Sequence, residues 1–234
     1  MINNKNVYAI IPARGGSKSI PKKNIIDFCG FPLIAHSINY AKSSKFVDHI
    51  FVSTDSDNIE KIAKEYGADV IQRPDSISRD NSSTELAIDH AINSEEMNYN
   101  SIIVLLQPTS PLRPRGALDK MLNKFVDKKY DSMLSISPCH PLNWKLNSDE
   151  IICQYDYKNR PMRQQFKKNN YLYDENGSIY IFTQKLFVEK KNRLGGEIGY
   201  SVFPEEFGRQ IDTYLDLEVL KTTANYINSE GIDE

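Results

Sequence analysis

Up to Ser137 the chain alternates short apolar runs with segments of helical period, and few folds accept that order of elements. Val7 to Ile11 reads as a buried strand, Ile34, Ile38 and Ala41 then fall on one helical face, and His49 to Ser53 is a second strand running into Thr54-Asp55. Ile59, Ile62, Ala63 and Tyr66 form a helical stripe, Gly67 is placed to cap its end, and Ala68 to Ile71 resumes as a strand. Ile88, Ala91 and Ile92 predict the next helix and Ser101 to Leu106 the next strand. Leu118, Met121, Leu122 and Phe125 mark a further amphipathic helix, and Asp131 to Ser137 a further strand. Strands that are apolar throughout and separated by helices predict an α/β fold: an open, mostly parallel sheet flanked by helices on both faces.

From Pro138 the texture changes. Trp144, Tyr155, Tyr157, Arg160, Pro161 and Tyr171 are scattered among short alternating stretches without helical period, so 138–174 reads as a β-rich excursion within a single 1–234 domain. Regularity returns with Ser178 to Phe182, Tyr200 to Phe203, and a final helix carrying Leu217, Leu220, Ala224 and Ile227 on one side. Several function classes are set aside by composition. The formal charge of -2 offers no global field for nucleic acid, so any anion must be met by a local cluster. No apolar run reaches the ~20 residues that span a bilayer, and the N-terminal run is too short for a signal-peptide core, so no membrane partner and a cytoplasmic location are expected. Cys29, Cys139 and Cys153 are odd in number and widely spaced, and His36, His49, His90 and His140 show no metal-ligand spacing.

The local cluster lies directly after the first strand. In "IIPARGGSKSIPKKN", Ile10 to Asn24, the cations Arg14, Lys18, Lys22 and Lys23 surround Gly15-Gly16-Ser17. Glycines let backbone N–H groups approach an anion, Arg and Lys neutralise a polyanion such as a triphosphate, and open α/β sheets bind ligands beyond the carboxyl ends of their strands. The segment is neither a Walker A loop nor a Gly-x-Gly-x-x-Gly turn. The bland alternative is a solvated Lys-rich loop whose glycines turn the chain.

"IPARGGSKSIPKKN" closely resembles the signature of the acylneuraminate cytidylyltransferases. Further matches follow in order: "VSTDS" (Val52 to Ser56), "RPDSIS" with Asp80, "LLQPTSPLR" (Leu105 to Arg113), and "RQQF" with "NGSIYIF" (Arg163 to Phe182). The resemblance covers nearly the whole chain. It implies a Rossmann-like fold of nucleotidyltransferase type, a homodimer built by the 138–174 excursion, and magnesium as cofactor. It also implies the reaction: the anomeric hydroxyl of a nine-carbon 2-keto (nonulosonic) sugar acid attacks the α-phosphate of CTP and pyrophosphate leaves. Such catalysis rests on positioning and on neutralising charge.

By the same resemblance Arg14, Lys18 and Lys23 hold the triphosphate as the catalytic cations, with Ser17 as a hydroxyl donor. Asn24, Arg73 and Thr84 match nucleotide contacts, Gln107 bridges nucleotide and sugar, and Arg163 and Gln164 reach the sugar acid. Lys22 lies outside the pattern. Tyr180 and Phe182 wall the pocket if they point inward, although strand alternation places both on one face that could equally be ordinary core. Arg113 could pair with phosphate or cap a turn, and Asp55 reads as a helix N-cap ahead of Ser56 to Tyr66.

The chain departs from the family in two places. Some bacterial members read Arg-x-Asn-Gly where this chain has Asp174-Glu175-Asn176-Gly177, which leaves Lys145 and Arg163 as candidates for the sugar carboxylate. The usual Asp-x-Asp of the metal site reads Gln210-Ile211-Asp212, so Asp212 is the expected metal ligand, with Asp216 read as a helix N-terminal carboxylate and held in reserve. Two alternatives stand beside this reading: a catalytically idle nucleotide-binding or assembly subunit, and synthesis of CMP-Kdo, whose family differs in the first loop.

Overall fold

The computed structural model describes residues 1–139, 142–160, 162 and 172–231. In chain order it begins with β1 (Val7–Pro12), a short hairpin of β2 (Asp27–Phe28) and β3 (Phe31–Pro32), α1 (Leu33–Lys42), β4 (His49–Thr54), α2 (Asp57–Glu65) and β5 (Asp69–Gln72). There follow α3 (Thr84–Ser94), β6 (Ile102–Leu106), α4 (Ala117–Lys128), β7 (Ser132–Cys139), and the hairpin of β8 (Trp144–Asn147) with β9 (Glu150–Cys153). The chain closes with β10 (Leu172–Thr183), α5 (Gln184–Lys190), β11 (Ile198–Val202) and α6 (Tyr214–Glu230).

Seven strands make one sheet in the order β11-β7-β10-β6-β1-β4-β5. β1 pairs in parallel with β4 and β6, β4 with β5, and β11 with β7, while β10 runs antiparallel to both β6 and β7. The expected mostly parallel α/β sheet is therefore present, with one reversed strand inside it. Alternation along the strands explains the two layers. Val7, Ala9 and Ile11 of β1 with Ile102, Val104 and Leu106 of β6 meet α1, α2 and α4. Ile10, Ile103 and Leu105 meet Ile88, Ala91 and Ile92 of α3 and Leu186 and Phe187 of α5 on the opposite face. Burial on both faces is why these strands read as unbroken apolar runs.

Three details correct or extend the sequence reading. Tyr180 and Phe182 do not wall a pocket: they face the second layer, are 2% and 0% exposed, and Phe182 packs on Phe187 with ring centroids 5.7 Å apart. Helix α5 was not anticipated, because its seven residues are too few to display a period; Thr183 starts it, its Oγ1 accepting from the Leu186 amide at 3.1 Å. The stretch between Pro138 and Asp174 is also not wholly separate from the sheet, since β7 and β10 run on as a ribbon, pairing Leu172 with Cys139 and Asp174 with Ser137. Beyond it lies the small β8–β9 hairpin.

A third apolar cluster holds the loop after β1 in place. Ile20 is fully buried among Phe28, Leu33, Ile211, Leu217 and Leu220, so the middle of that loop is pinned between the β2–β3 hairpin, α1 and α6. Phe182→Ala removes a fully buried aromatic ring and should lower unfolding free energy by about 3–5 kcal/mol, read as a lower urea midpoint at unchanged slope.

Candidate active site

Both faces of the sheet are consumed by packing, so polar side chains emerge where the strands end. At the carboxyl ends of β1, β5 and β6 there is a cleft of about 470 Å³, a volume suited to a small-molecule ligand. Arg14, Ser17, Lys18, Lys23, Asn24, Arg73, Thr84, Gln107 and Asp212 all line it, so residues spread over nearly two hundred positions of sequence meet in one place.

The loop from β1 is shaped by backbone contacts before any ligand is considered. The Ala13 amide donates to the Ser53 carbonyl at 2.9 Å, and the Gly15 amide donates to Asp55 Oδ1 at 2.8 Å. A Cβ on Gly15 would sit 2.8 Å from Ser56 Cβ, which is why the loop needs glycine there. Asn24 is buried, and its Nδ2 donates to the Arg14 carbonyl at 2.9 Å, folding the loop back on itself. Asp55 is thus not the N-cap that the sequence suggested: Ser56 occupies that position, without a side-chain cap bond, and the Asp55 carboxylate is spent on Gly15.

Each of the loop cations that line the cleft has a partner. Arg14 Nη1 donates to the Arg79 carbonyl at 2.8 Å and lies 3.2 Å from Asp80 Oδ1. Lys18 Nζ lies 2.5 Å from Asp80 Oδ2, and Lys23 Nζ donates to the Ile211 carbonyl at 2.9 Å and to Asp212 Oδ1 at 3.1 Å. Lys23 is mostly buried and Lys18 largely exposed. Lys22, a left-handed residue before the short turn Lys23–Ile25, is exposed and is not part of the lining.

Arg73 follows β5 and is buried, with Nη2 donating to the Ser53 carbonyl at 2.6 Å and Nε to Ser53 Oγ at 3.1 Å. Burial is the main reason its pKa is lowered. Thr84 is the first residue of α3, whose N-cap Ser83 accepts from the Leu86 amide at 3.4 Å; Ser82, Ser83 and Thr84 together bring that helix start to the cleft.

Gln107 is fixed through its carbonyl, which accepts from Arg113 Nη2 at 2.8 Å. Arg113 also donates to Ser37 Oγ at 3.1 Å and to the Ser178 carbonyl at 3.3 Å, and its guanidinium carbon lies 5.4 Å from the centre of the Tyr40 ring. Fully enclosed, it has its pKa lowered to about 10 by desolvation. This settles the open question over Arg113: it braces the loop after β6 against β10 and is not part of the cleft lining.

Opposite Gln107, β10 breaks register with β7 between Glu175 and Tyr180. The break is held by Asn176, whose Oδ1 accepts from Ser135 Oγ at 2.6 Å and whose Nδ2 donates to Ser137 Oγ at 3.0 Å. Gly177 follows with φ of +65°, and a Cβ there would collide with the side-chain amides of Gln107 and Gln210. Glycine is therefore demanded twice, by the backbone and by the crowding.

Of the carboxylates near α6, Asp216 is the helix N-terminal carboxylate that the sequence suggested. Asp216 completes a capping box: its Oδ2 accepts from the Thr213 amide at 2.7 Å, and Thr213 Oγ1 accepts from the Asp216 amide at 3.2 Å. The Thr213 hydroxyl bond leads the contacts that hold its carboxyl below the usual range. Gln210 Oε1 accepts from Thr109 Oγ1 at 3.1 Å. Asp212 lines the cleft with a side chain that is 70% exposed. Among the described residues no group of three or more His, Cys, Asp or Glu side chains forms a ready-made metal cage. Arg163 and Gln164 lie outside the described residues, and Lys145 stands exposed on the β8–β9 hairpin, away from the cleft lining. Sequence reasoning gave Asp80 no role although it sat in a recognised motif; its contact with Arg14 and Lys18 depends on a fold that brings together residues far apart in the chain.

A mixed sheet with a cation-lined loop at its carboxyl edge has counterparts among solved structures. The fold matches that of a CMP:2-keto-3-deoxy-manno-octonic acid synthetase solved with CTP, with a TM-score of 0.71 at 17% identity, covering 95% of this chain and 99% of that one. A 4-diphosphocytidyl-2C-methyl-D-erythritol synthase is similar at TM-score 0.70 and 10% identity, covering 94% and 99%. At these identities the likeness concerns the fold alone. The sequence is more specific: the family model described as cytidylyltransferase matches residues 8–220, and the chain belongs to that family.

It is 33% identical over 219 residues to the pseudaminic acid cytidylyltransferase of Campylobacter jejuni subsp. jejuni serotype O:23/36 (strain 81-176), covering 91% of this chain and 93% of that protein. It is 36% identical over 216 residues to N-acylneuraminate cytidylyltransferase B of Danio rerio, covering 90% of this chain and 49% of the relative. With the N-acylneuraminate cytidylyltransferase of Escherichia coli O18:K1:H7 (strain RS218 / NMEC) the figures are 28% identity, 97% and 54%. The chain thus spans about half the length of these N-acylneuraminate relatives.

Proposed function

We propose that this cytidylyltransferase moves the CMP group of CTP onto the anomeric hydroxyl of a nine-carbon 2-keto sugar acid. The bond from the sugar oxygen to the α-phosphorus forms as the hydroxyl gives its proton to solvent water, the bond from that phosphorus to the oxygen bridging it to the β-phosphorus breaks, and pyrophosphate leaves with the electron pair. The observation that carries the reading is the convergence of Arg14, Lys18 and Lys23 with Asn24, Arg73, Thr84 and Gln107 around one cleft. Arg14, Lys18 and Lys23 neutralise the triphosphate and the departing pyrophosphate, with Ser17 donating its hydroxyl. Arg73, Asn24 and Thr84 hold cytosine and ribose. Gln107, beside the Gly177 break of β10, faces both nucleotide and acceptor. Arg163 and Gln164 are assigned to the sugar acid on sequence grounds. The names of the relatives support a nonulosonic acid as acceptor; the CMP-Kdo alternative rests on likeness of fold alone.

Magnesium is the proposed cofactor, and the donor set suits it. Magnesium keeps several waters and takes one or two carboxylates together with substrate phosphates, so the exposed carboxylate of Asp212 at the cleft is an appropriate ligand. When bound, it would add to charge neutralisation at the phosphates. Lys23 contacts Asp212 and thereby holds that carboxylate toward the loop that takes the triphosphate.

A second copy of the chain is the proposed partner of the β8–β9 hairpin. Leu146 and Ile151 are 76% and 62% exposed there, beside Trp144, Ile152 and Tyr157, with Trp144 and Tyr155 in edge contact at 5.9 Å. Such aromatic and aliphatic side chains gain most when a partner covers them.

Purified protein given CTP, magnesium and a panel of nonulosonic acids should release pyrophosphate with at least one of them; CTP binding without release on any would favour the idle subunit. Lys18→Ala should raise the KM for CTP by about tenfold or more, the loss of one charge-assisted contact, while leaving the melting temperature nearly unchanged. Asp212→Asn should shift the magnesium dependence of turnover to higher concentration, and an unchanged dependence removes Asp212 from the metal site. Trp144→Ala should move sedimentation toward the monomer.

A further inference from the structure

Asp80 occupies a place that neither the family assignment nor the capping pattern explains. It sits in the loop between the short turn Asp75–Ile77 and α3, and its carboxylate lines the cleft. Its two oxygens divide between two cations, Oδ1 at 3.2 Å from Arg14 Nη1 and Oδ2 at 2.5 Å from Lys18 Nζ. Those are two of the three cations given to the triphosphate under the reading above, on which this inference rests. Among the described residues Asp80 is the ion-pair partner of Lys18. Chiefly through the Lys18 contact, its carboxyl is held below the usual carboxylate range, so it is an anion at neutral pH.

We propose that Asp80 is a built-in counter-ion: its carboxylate occupies the seat of the terminal phosphates on Arg14 and Lys18, yields it to CTP, and reclaims it as pyrophosphate leaves. A phosphate oxygen placed on the same ammonium would lie within a few ångströms of the Asp80 oxygens, and like charges that close repel. The exchange is inexpensive because Asp80 is 44% and Lys18 82% exposed, where ion pairs are weak. It is also selective. A carboxylate offers one negative charge, whereas a triphosphate or pyrophosphate brings several, on oxygens that can span Arg14, Lys18 and Lys23 together. A lone phosphate, as in CMP or a CMP-sugar, cannot make that span and does not compete for the seat. Asp80 thereby loosens the hold on polyphosphates alone, and so helps to clear pyrophosphate after transfer.

Calorimetric titration of CTP, pyrophosphate and CMP, each with magnesium, into the wild-type chain, Asp80→Asn and Asp80→Ser tests this. CTP and pyrophosphate should bind the folded variants roughly three- to tenfold more tightly than the wild type, the gain shrinking at high salt, and CMP affinity should not change. Equal or weaker CTP binding by variants with native melting profiles overturns the inference and makes Asp80 a support for the cations instead. An equal gain for CMP overturns it too, since the effect would then be general charge. If the wild type binds no CTP at all, the nucleotide reading of the cleft falls and this inference falls with it; CTP binding by the wild type with no gain in the variants sinks the counter-ion alone.

Discussion

Burial of β1 and β6 on both faces is the constraint from which the rest of the molecule follows. Val7, Ala9 and Ile11 look one way and Ile10 the other, each into a closed layer, so neither face has room for polar chemistry. Charged groups can leave such strands only at the ends, and the loop after β1 carries Arg14, Lys18 and Lys23 away from its carboxyl end. Ile20 then turns the loop back, since burying it among Phe28, Ile211 and Leu217 brings Lys23 against the segment before α6. The electropositive cleft is a product of apolar packing on either side of it.

Within that cleft the free protein balances its own charge. Asp80 answers Arg14 and Lys18, Asp212 and the Ile211 carbonyl answer Lys23, and backbone and hydroxyl oxygens of Ser53 answer Arg73. The Asp80 pairs lie near solvent, so an incoming polyanion meets in Arg14 and Lys18 cations that are already positioned yet weakly held. The more deeply buried Arg113 is different in kind. Its three hydrogen bonds and the Tyr40 ring hold it away from the cleft lining, and it contributes rigidity to the loop that carries Gln107.

Much of this was legible in the sequence because parallel strands and amphipathic helices advertise themselves by period. The strand ends located the loop, and the motif "IPARGGSKSIPKKN" identified which of its cations enter the cleft while leaving Lys22 outside. What period cannot carry was missed. Tyr180 and Phe182 share a face, but alternation alone does not say which layer that face meets, and it proved to be core. Asp55 looked like a cap because it precedes a helix, whereas its partner Gly15 lies forty residues earlier. Asp80 shows no role in the sequence for the same reason, its partners being distant in the chain.

The reversed strand has a consequence for how the molecule comes together. β1, β4, β5 and β6 neighbour one another and are complete by Leu106, but β7 pairs only with β10 and β11, both made later. During synthesis β7 has no strand beside it until the segment Leu172–Thr183 emerges and wedges between it and β6. The amino-terminal half can therefore assemble from local contacts while the other half waits on a single late insertion, which makes that insertion the natural slow step and the interval before it the moment of greatest exposure to misassembly.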